Sequence, residues 1–171
     1  MNPRIEHWLT ERSPGGFYKV RLMFPADVFS FSRRMVEVNN VELQLKDQFY
    51  ITLINNRMGE KIHEALQGNT EKMQVILQYI EEFSPSFKLL NKYHLVQATD
   101  DESIHTIVQL VDMPDVMALY ERIEAIMNAK FDDYPPLHVT LFTTHGHGIW
   151  LYSKRDMEYK TQEILTQSDF L

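Results

Sequence analysis

The chain has 171 residues, 44% hydrophobic and 24% charged, with Lys+Arg 17 against Asp+Glu 24 for a net charge of -7. This size carries one globular core without staples, and the acidic balance excludes sequence-independent binding to long nucleic acid, which needs a cationic surface. With no cysteine, disulfides, thiolate metal centres and cysteine nucleophiles are excluded as well.

Residues 1–10 carry Arg4, Glu6 and His7 and no apolar stretch, so they do not read as a secretory signal. No apolar run is long enough to span a membrane. The expectation is a cytoplasmic monomer with no membrane partner. Residues 17–24 alternate as a strand, entered through Pro14-Gly15-Gly16 and closed by Pro25. Residues 36–45 and 48–54 read as further strands, separated by the charged turn Lys46-Asp47. Periodicity predicts a helix over 58–67, stopped by Gly68, and a second over 70–83, capped by Thr70, with Met73, Ile76, Leu77 and Ile80 as its buried stripe.

Residues 86–98 and 103–111 form a predicted hairpin, and Pro114 opens a helix in which Val116, Leu119, Ile123 and Ile126 recur at helical spacing. Tyr134-Pro135-Pro136 forces an extended approach to the strand that follows. Residues 148–152 are a last short strand, and 156–171 a polar, weakly helical tail. No linker divides the chain, so a single domain over 1–171 is expected, its core spanning about 17–152. Strands before, between and after helices indicate an α+β or mixed α/β arrangement rather than a doubly wound parallel sheet.

Two of these strands share a pattern. One is Leu137-His138-Val139-Thr140-Leu141-Phe142; the other is Phe49-Tyr50-Ile51-Thr52-Leu53-Ile54, with Tyr50 standing 88 positions before His138. Side chains two apart on a strand share a face, so His138 emerges with Thr140, and Tyr50 with Thr52. Placed side by side, the strands would put all four on one pocket floor. The pattern resembles the 2H phosphoesterase family, which includes the RNA ligase/cyclic phosphodiesterase enzymes and is marked by two His-x-Thr/Ser motifs on central strands. Here the second motif is intact and the first has Tyr50 in place of histidine.

The resemblance implies an α+β fold of two lobes about a pseudo-twofold, with mixed or antiparallel sheets flanked by helices. It also implies phosphodiester chemistry, without metal or cofactor, on a cyclic nucleotide or a 2',3'-cyclic phosphate RNA end. His138 would be the acid/base, Thr140 and Thr52 the phosphate-binding hydroxyls, and Tyr50 the substitute for the missing histidine. A phenol, with an ordinary pKa of about 10, donates hydrogen bonds but is a poor base. Losing one proton-transfer group costs roughly a hundred- to ten-thousandfold in rate, so ligand binding is expected more firmly than turnover.

The same 88-residue shift sets Arg57 opposite His145, which would flank the phosphate with two basic groups. Other readings stay open at each position. Tyr50 is equally a packed strand aromatic and Thr52 a β-branched strand residue. His145-Gly146-His147 lacks a further ligand at supporting spacing, so it reads as a loop with incidental imidazoles and no metal site is expected. Two rival functions accompany the enzyme. One is a non-catalytic module binding a small nucleotide or RNA terminus; the other is an interaction protein with a vestigial pocket.

Overall fold

A computed structural model describes residues 3–29 and 31–170. The elements run β1 (Arg4–Trp8), β2 (Lys19–Met23), β3 (Met35–Val38), β4 (Val41–Leu45), β5 (Tyr50–Ile54), α1 (Asn56–Leu66), α2 (Thr70–Glu81), β6 (Lys88–Gln97), β7 (His105–Asp112), α3 (Val116–Met127), β8 (His138–Thr143), α4 (Lys154–Lys160) and β9 (Thr161–Leu165). The nine strands among the described residues join one sheet in the order β1-β2-β5-β8-β7-β6-β9, with β4 added to β8 and β3 to β4. Every pairing is antiparallel. The architecture is α+β.

Local chemistry explains where the elements depart from the sequence reading. The strand expected over 36–45 is a hairpin, because Asn39 and Asn40 take positive φ of 53° and 61°, the left-handed turn that Asn tolerates. Asn55 caps α1 by accepting from the Met58 amide at 3.0 Å. Asn69, not Thr70, caps α2, accepting from the Lys72 amide at 3.0 Å. Residues 148–152 are not a strand, and the polar tail holds α4 and β9 instead. Leu165 and Phe170 of that tail are buried in the main core. β1 and β9, both outside 17–152, end the main strand path, and β3 is a further edge strand beside β4. Neither β1 nor β9 shows an alternating buried pattern, which is why they left no sequence signal.

The central strands divide their side chains between two faces. Val20 and Leu22, Ile51 and Leu53, and Val139 and Leu141 enter the main core with Ile62 of α1, Ile76 and Ile80 of α2, and Leu119 and Ile123 of α3. Alternation turns Lys19 and Arg21, Tyr50 and Thr52, and His138 and Thr140 the other way. Toward β6 and β7 a small apolar cluster of Val96, Val108, Leu151 and Met157 stands apart from the main core.

Two bulges fall at related places. Pairing of β5 with β2 skips Leu53, so Arg21 lies opposite Thr52. Pairing of β8 with β7 skips Leu141, so Val108 lies opposite Thr140. Leu53 and Leu141 are 88 positions apart, and each directly follows the threonine of its motif. Bulges bend and twist a strand where a side chain must be re-aimed. The Leu53 carbonyl accepts from the buried Tyr120 hydroxyl of α3 at 2.7 Å, which ties the first bulge to the helical layer.

α1 approaches the residue just before β2 closely because Gly59 has no side chain: an added Cβ would lie 2.6 Å from both Cβ and O of Tyr18. Gly59→Ala is expected to destabilise the fold by about 1–3 kcal/mol, the usual cost of overpacking. Urea unfolding measures it, and an unchanged midpoint would mean that the helix yields without strain.

Candidate functional site

β5 and β8 are neighbours, with Ile51 opposite Val139 in the antiparallel ladder. That register sets Tyr50 across from Thr140 and Thr52 across from His138. The four side chains share one face, and all four are half-buried while Ile51 and Val139 between them are fully buried on the other. The structure therefore brings Tyr50, Thr52, His138 and Thr140 together.

His138 is held by the turn before it. Its Nδ1 lies 2.7 Å from the Pro136 carbonyl oxygen, which only accepts, so Nδ1 carries the proton and Nε2 presents a lone pair. Nε2 has no partner among the described residues. Burial pushes the imidazole pKa below its usual 6.5, and the bond to Pro136 opposes this only in part. The ring is thus neutral near pH 7. The hydroxyls of Tyr50, Thr52 and Thr140 likewise have no hydrogen-bond partner among the described residues, and none is sealed from solvent.

The Pro136 turn is itself anchored. Buried Glu124 of α3 accepts from the Phe131 amide at 2.9 Å, the Tyr134 hydroxyl at 2.8 Å and Lys130 Nζ at 2.6 Å. Tyr134 stacks on Tyr120 with ring centroids 5.3 Å apart, and Tyr120 holds the Leu53 bulge. One buried carboxylate thereby braces both motif strands. Burial raises the Glu124 pKa, but its three hydrogen bonds and the Lys130 charge more than offset that and leave it lowered.

Glu124→Ala would strand the Phe131 amide and the Tyr134 hydroxyl. The expected loss is about 2–4 kcal/mol, as for hydrogen bonds to a charged acceptor, read by chemical denaturation. Because the folded pKa is depressed, the wild-type contribution is present above the ordinary 4.5 and lost as pH falls through the folded value. Denaturation at pH 7 and pH 3 should show the variant and wild type converging in acid.

Charge on this face comes from residues that the sequence reading did not single out. The Arg21 guanidinium carbon lies 3.8 Å from the Tyr50 ring centroid and 5.8 Å from that of Trp8. Lys19 Nζ lies 5.2 Å from the Trp8 centroid, and Lys46 Nζ donates to the Gly146 carbonyl at 2.5 Å. Burial first, and then the Arg21 charge, push both lysine pKa values down. Arg21 Nε is buried with no hydrogen-bond partner. Glu6, cross-strand from Arg21, is turned to Arg4 at 2.6 Å. No carboxylate lies within ion-pair distance of Lys19, Arg21 or Lys46 among the described residues. The sequence signal for them is the period-two spacing of Lys19 and Arg21 in a strand beside the motif; Lys46 sits in a charged turn, where a lysine is ordinary.

Arg57 and His145 belong to different surroundings. The Arg57 guanidinium lies 3.8 Å from the Tyr152 ring centroid, and Tyr152 stacks on Trp150, which meets Phe17 edge-on. His145 is exposed, its Nε2 3.4 Å from the Ser103 hydroxyl beyond the β6–β7 turn. Gly148 lies against Thr140, where an added Cβ would come 2.8 Å from Oγ1, so the segment after β8 folds back along the threonine side of the face. No group of three or more His, Asp or Glu side chains among the described residues is placed to hold a metal. No described helix is long and apolar enough to cross a membrane. Searches against family models, curated proteins and solved structures return no match to this chain.

Proposed function

We propose that this face is the active site of a metal-independent phosphodiesterase of the 2H kind, acting on a cyclic nucleotide or a 2',3'-cyclic phosphate RNA end. The observation that carries the reading is the Ile51–Val139 register, which gathers His138, Thr140, Tyr50 and Thr52 with the three hydroxyls and His138 Nε2 unpartnered among the described residues. The strand order supports a pseudo-twofold between β5 and β8, with β2 and β7 outside them and β1 and β6 beyond. The equivalent bulges at Leu53 and Leu141 support it further.

In this reading neutral His138 takes a proton from water through Nε2 as the water oxygen attacks phosphorus. The bond from phosphorus to one ribose oxygen breaks, and the Tyr50 phenol gives that oxygen its proton. The phenolate recovers a proton from solvent and the imidazolium returns its own. Cyclic phosphate and water thus become a phosphate monoester. Thr52 and Thr140 donate to nonbridging oxygens, and Arg21, stacked on the Tyr50 ring, holds the phenol in place.

Incubation with a 2',3'-cyclic nucleotide in the presence of a chelator tests the proposal: nucleoside monophosphate should accumulate at an unchanged rate. Absence of product at high enzyme concentration would remove the enzyme reading. The rival, a nucleotide-binding module without turnover, is favoured by Tyr50 itself, a donor without basic strength seated under a guanidinium. Binding of the nucleotide with no product would select it.

A further inference from the structure

We propose that Lys19, Arg21 and Lys46 form a second anion subsite, so that the ligand of this face carries another phosphate beside the reacting one. The placement of the reacting phosphate rests on the reading above; the subsite rests on charge. A cyclic phosphate diester carries one negative charge, and the hydroxyls and neutral His138 supply its contacts. Three further cations beside it exceed what that charge requires.

The same chain satisfies many of its other cations with carboxylates, as in Arg12–Glu60, Arg34–Asp47, Lys61–Asp132 and Lys130–Glu124. Here like charges are brought together with no carboxylate at ion-pair distance among the described residues; Asp47, itself paired with Arg34, offsets the charge on Lys46 only in small part. Lys19 is only 9% exposed, so its ammonium is largely withdrawn from water with no counter-ion in its place. Arg21 is the hub: it touches the Tyr50 ring on the motif side, shares the Trp8 ring with Lys19, and its charge is felt by Lys46. An anion lying between the three would make charge-assisted hydrogen bonds to the Arg21 guanidinium and the lysine ammonium groups.

The ligand class is therefore a cyclic phosphate with an additional phosphate on the same molecule. That phosphate is either a 5'-monoester on a mononucleotide or the preceding diester of an RNA end.

Calorimetric titration compares three ligands on the wild-type protein: adenosine 2',3'-cyclic phosphate, its 5'-phosphorylated form, and adenylyl-(3',5')-adenosine 2',3'-cyclic phosphate. The 5'-phosphorylated form or the dinucleotide should bind about tenfold tighter or more than the first, the gain expected of added charge-assisted contacts. A gain confined to the monoester identifies a mononucleotide, and a gain shared by the dinucleotide identifies an RNA end. The preference should collapse toward unity in Lys46→Gln and Lys19→Gln and survive in Lys46→Arg. Equal affinities for all three in the wild type, or a preference unchanged in both glutamine variants, would overturn the subsite. Hydrolysis with equal affinities would leave the phosphodiesterase standing without it; preferential binding without hydrolysis would leave the subsite without the enzyme. A chain that binds none of the three loses both.

Discussion

Replacing Tyr50 with histidine is expected to raise turnover of a 2',3'-cyclic nucleotide by on the order of a hundredfold, the low end of what a positioned acid/base group supplies. The geometry argues for a gain. Position 50 stands to Thr140 as position 138 stands to Thr52, each imidazole or phenol diagonal to its counterpart across the Ile51–Val139 pair. A histidine there restores a group that exchanges protons near neutral pH, where a phenol does so poorly. The low end is expected because Arg21, 3.8 Å from the Tyr50 ring centroid, disfavours an imidazolium at the same place. Bound phosphate offsets part of that repulsion. Initial rates of monophosphate release from Tyr50→His and wild type settle the matter. A variant that is folded and binds nucleotide but turns over no faster would mean that position 50 does not face the leaving oxygen.

The central strands were legible in the sequence because they obey the period-two rule with unmistakable polarity. In each motif a polar residue alternates with Ile51, Leu53, Val139 or Leu141, all wholly buried. The pairing of the two strands was legible only as a possibility, since their shared residues are few; the register that places Thr52 against His138 is a tertiary fact. The helices followed their apolar stripes, and their ends were missed by a residue or two where Asn55 and Asn69 supply the caps. β1 and β9 left no signal because neither alternates, β1 burying no side chain fully and β9 only Leu165, whereas edge strand β3 alternates with Val36 and Val38 buried.

The cationic flank escaped for a different reason. Lys19 and Arg21 sit in a segment whose hydrophobic residues explained its strand character, and their common face meant nothing until β2 was seen beside β5. Lys46 lies in a turn, where charge is ordinary; only its reach to Gly146 across a hundred residues gives it a place at the site. Beyond the strands, the 88-residue shift sets Arg57 of a helix against His145 of a loop. The segment after β5 becomes α1, whereas the segment after β8 is a loop that folds back on Thr140. A repeat confined to strands carries no information about the loops that follow.

His138→Ala should lower turnover by roughly a hundred- to ten-thousandfold, the range for loss of a general acid/base. Nucleotide affinity should change far less, since the three hydroxyls and Arg21 remain. The sharper readout is the pH profile. Burial holds the His138 imidazole below its ordinary 6.5, against the smaller opposing effect of Pro136, and a base works only when unprotonated. The rate in wild type should therefore rise with pH along an acid limb centred below 6.5 and reach its plateau before neutrality. A histidine acting instead as the protonated acid would give the opposite limb, with activity falling as pH rises through the same region. Measuring kcat/KM in half-unit steps from pH 4.5 to 8 distinguishes the two. In His138→Ala the acid limb should vanish along with most of the rate; a limb that persists would assign the titration to another group and take the base role from this residue.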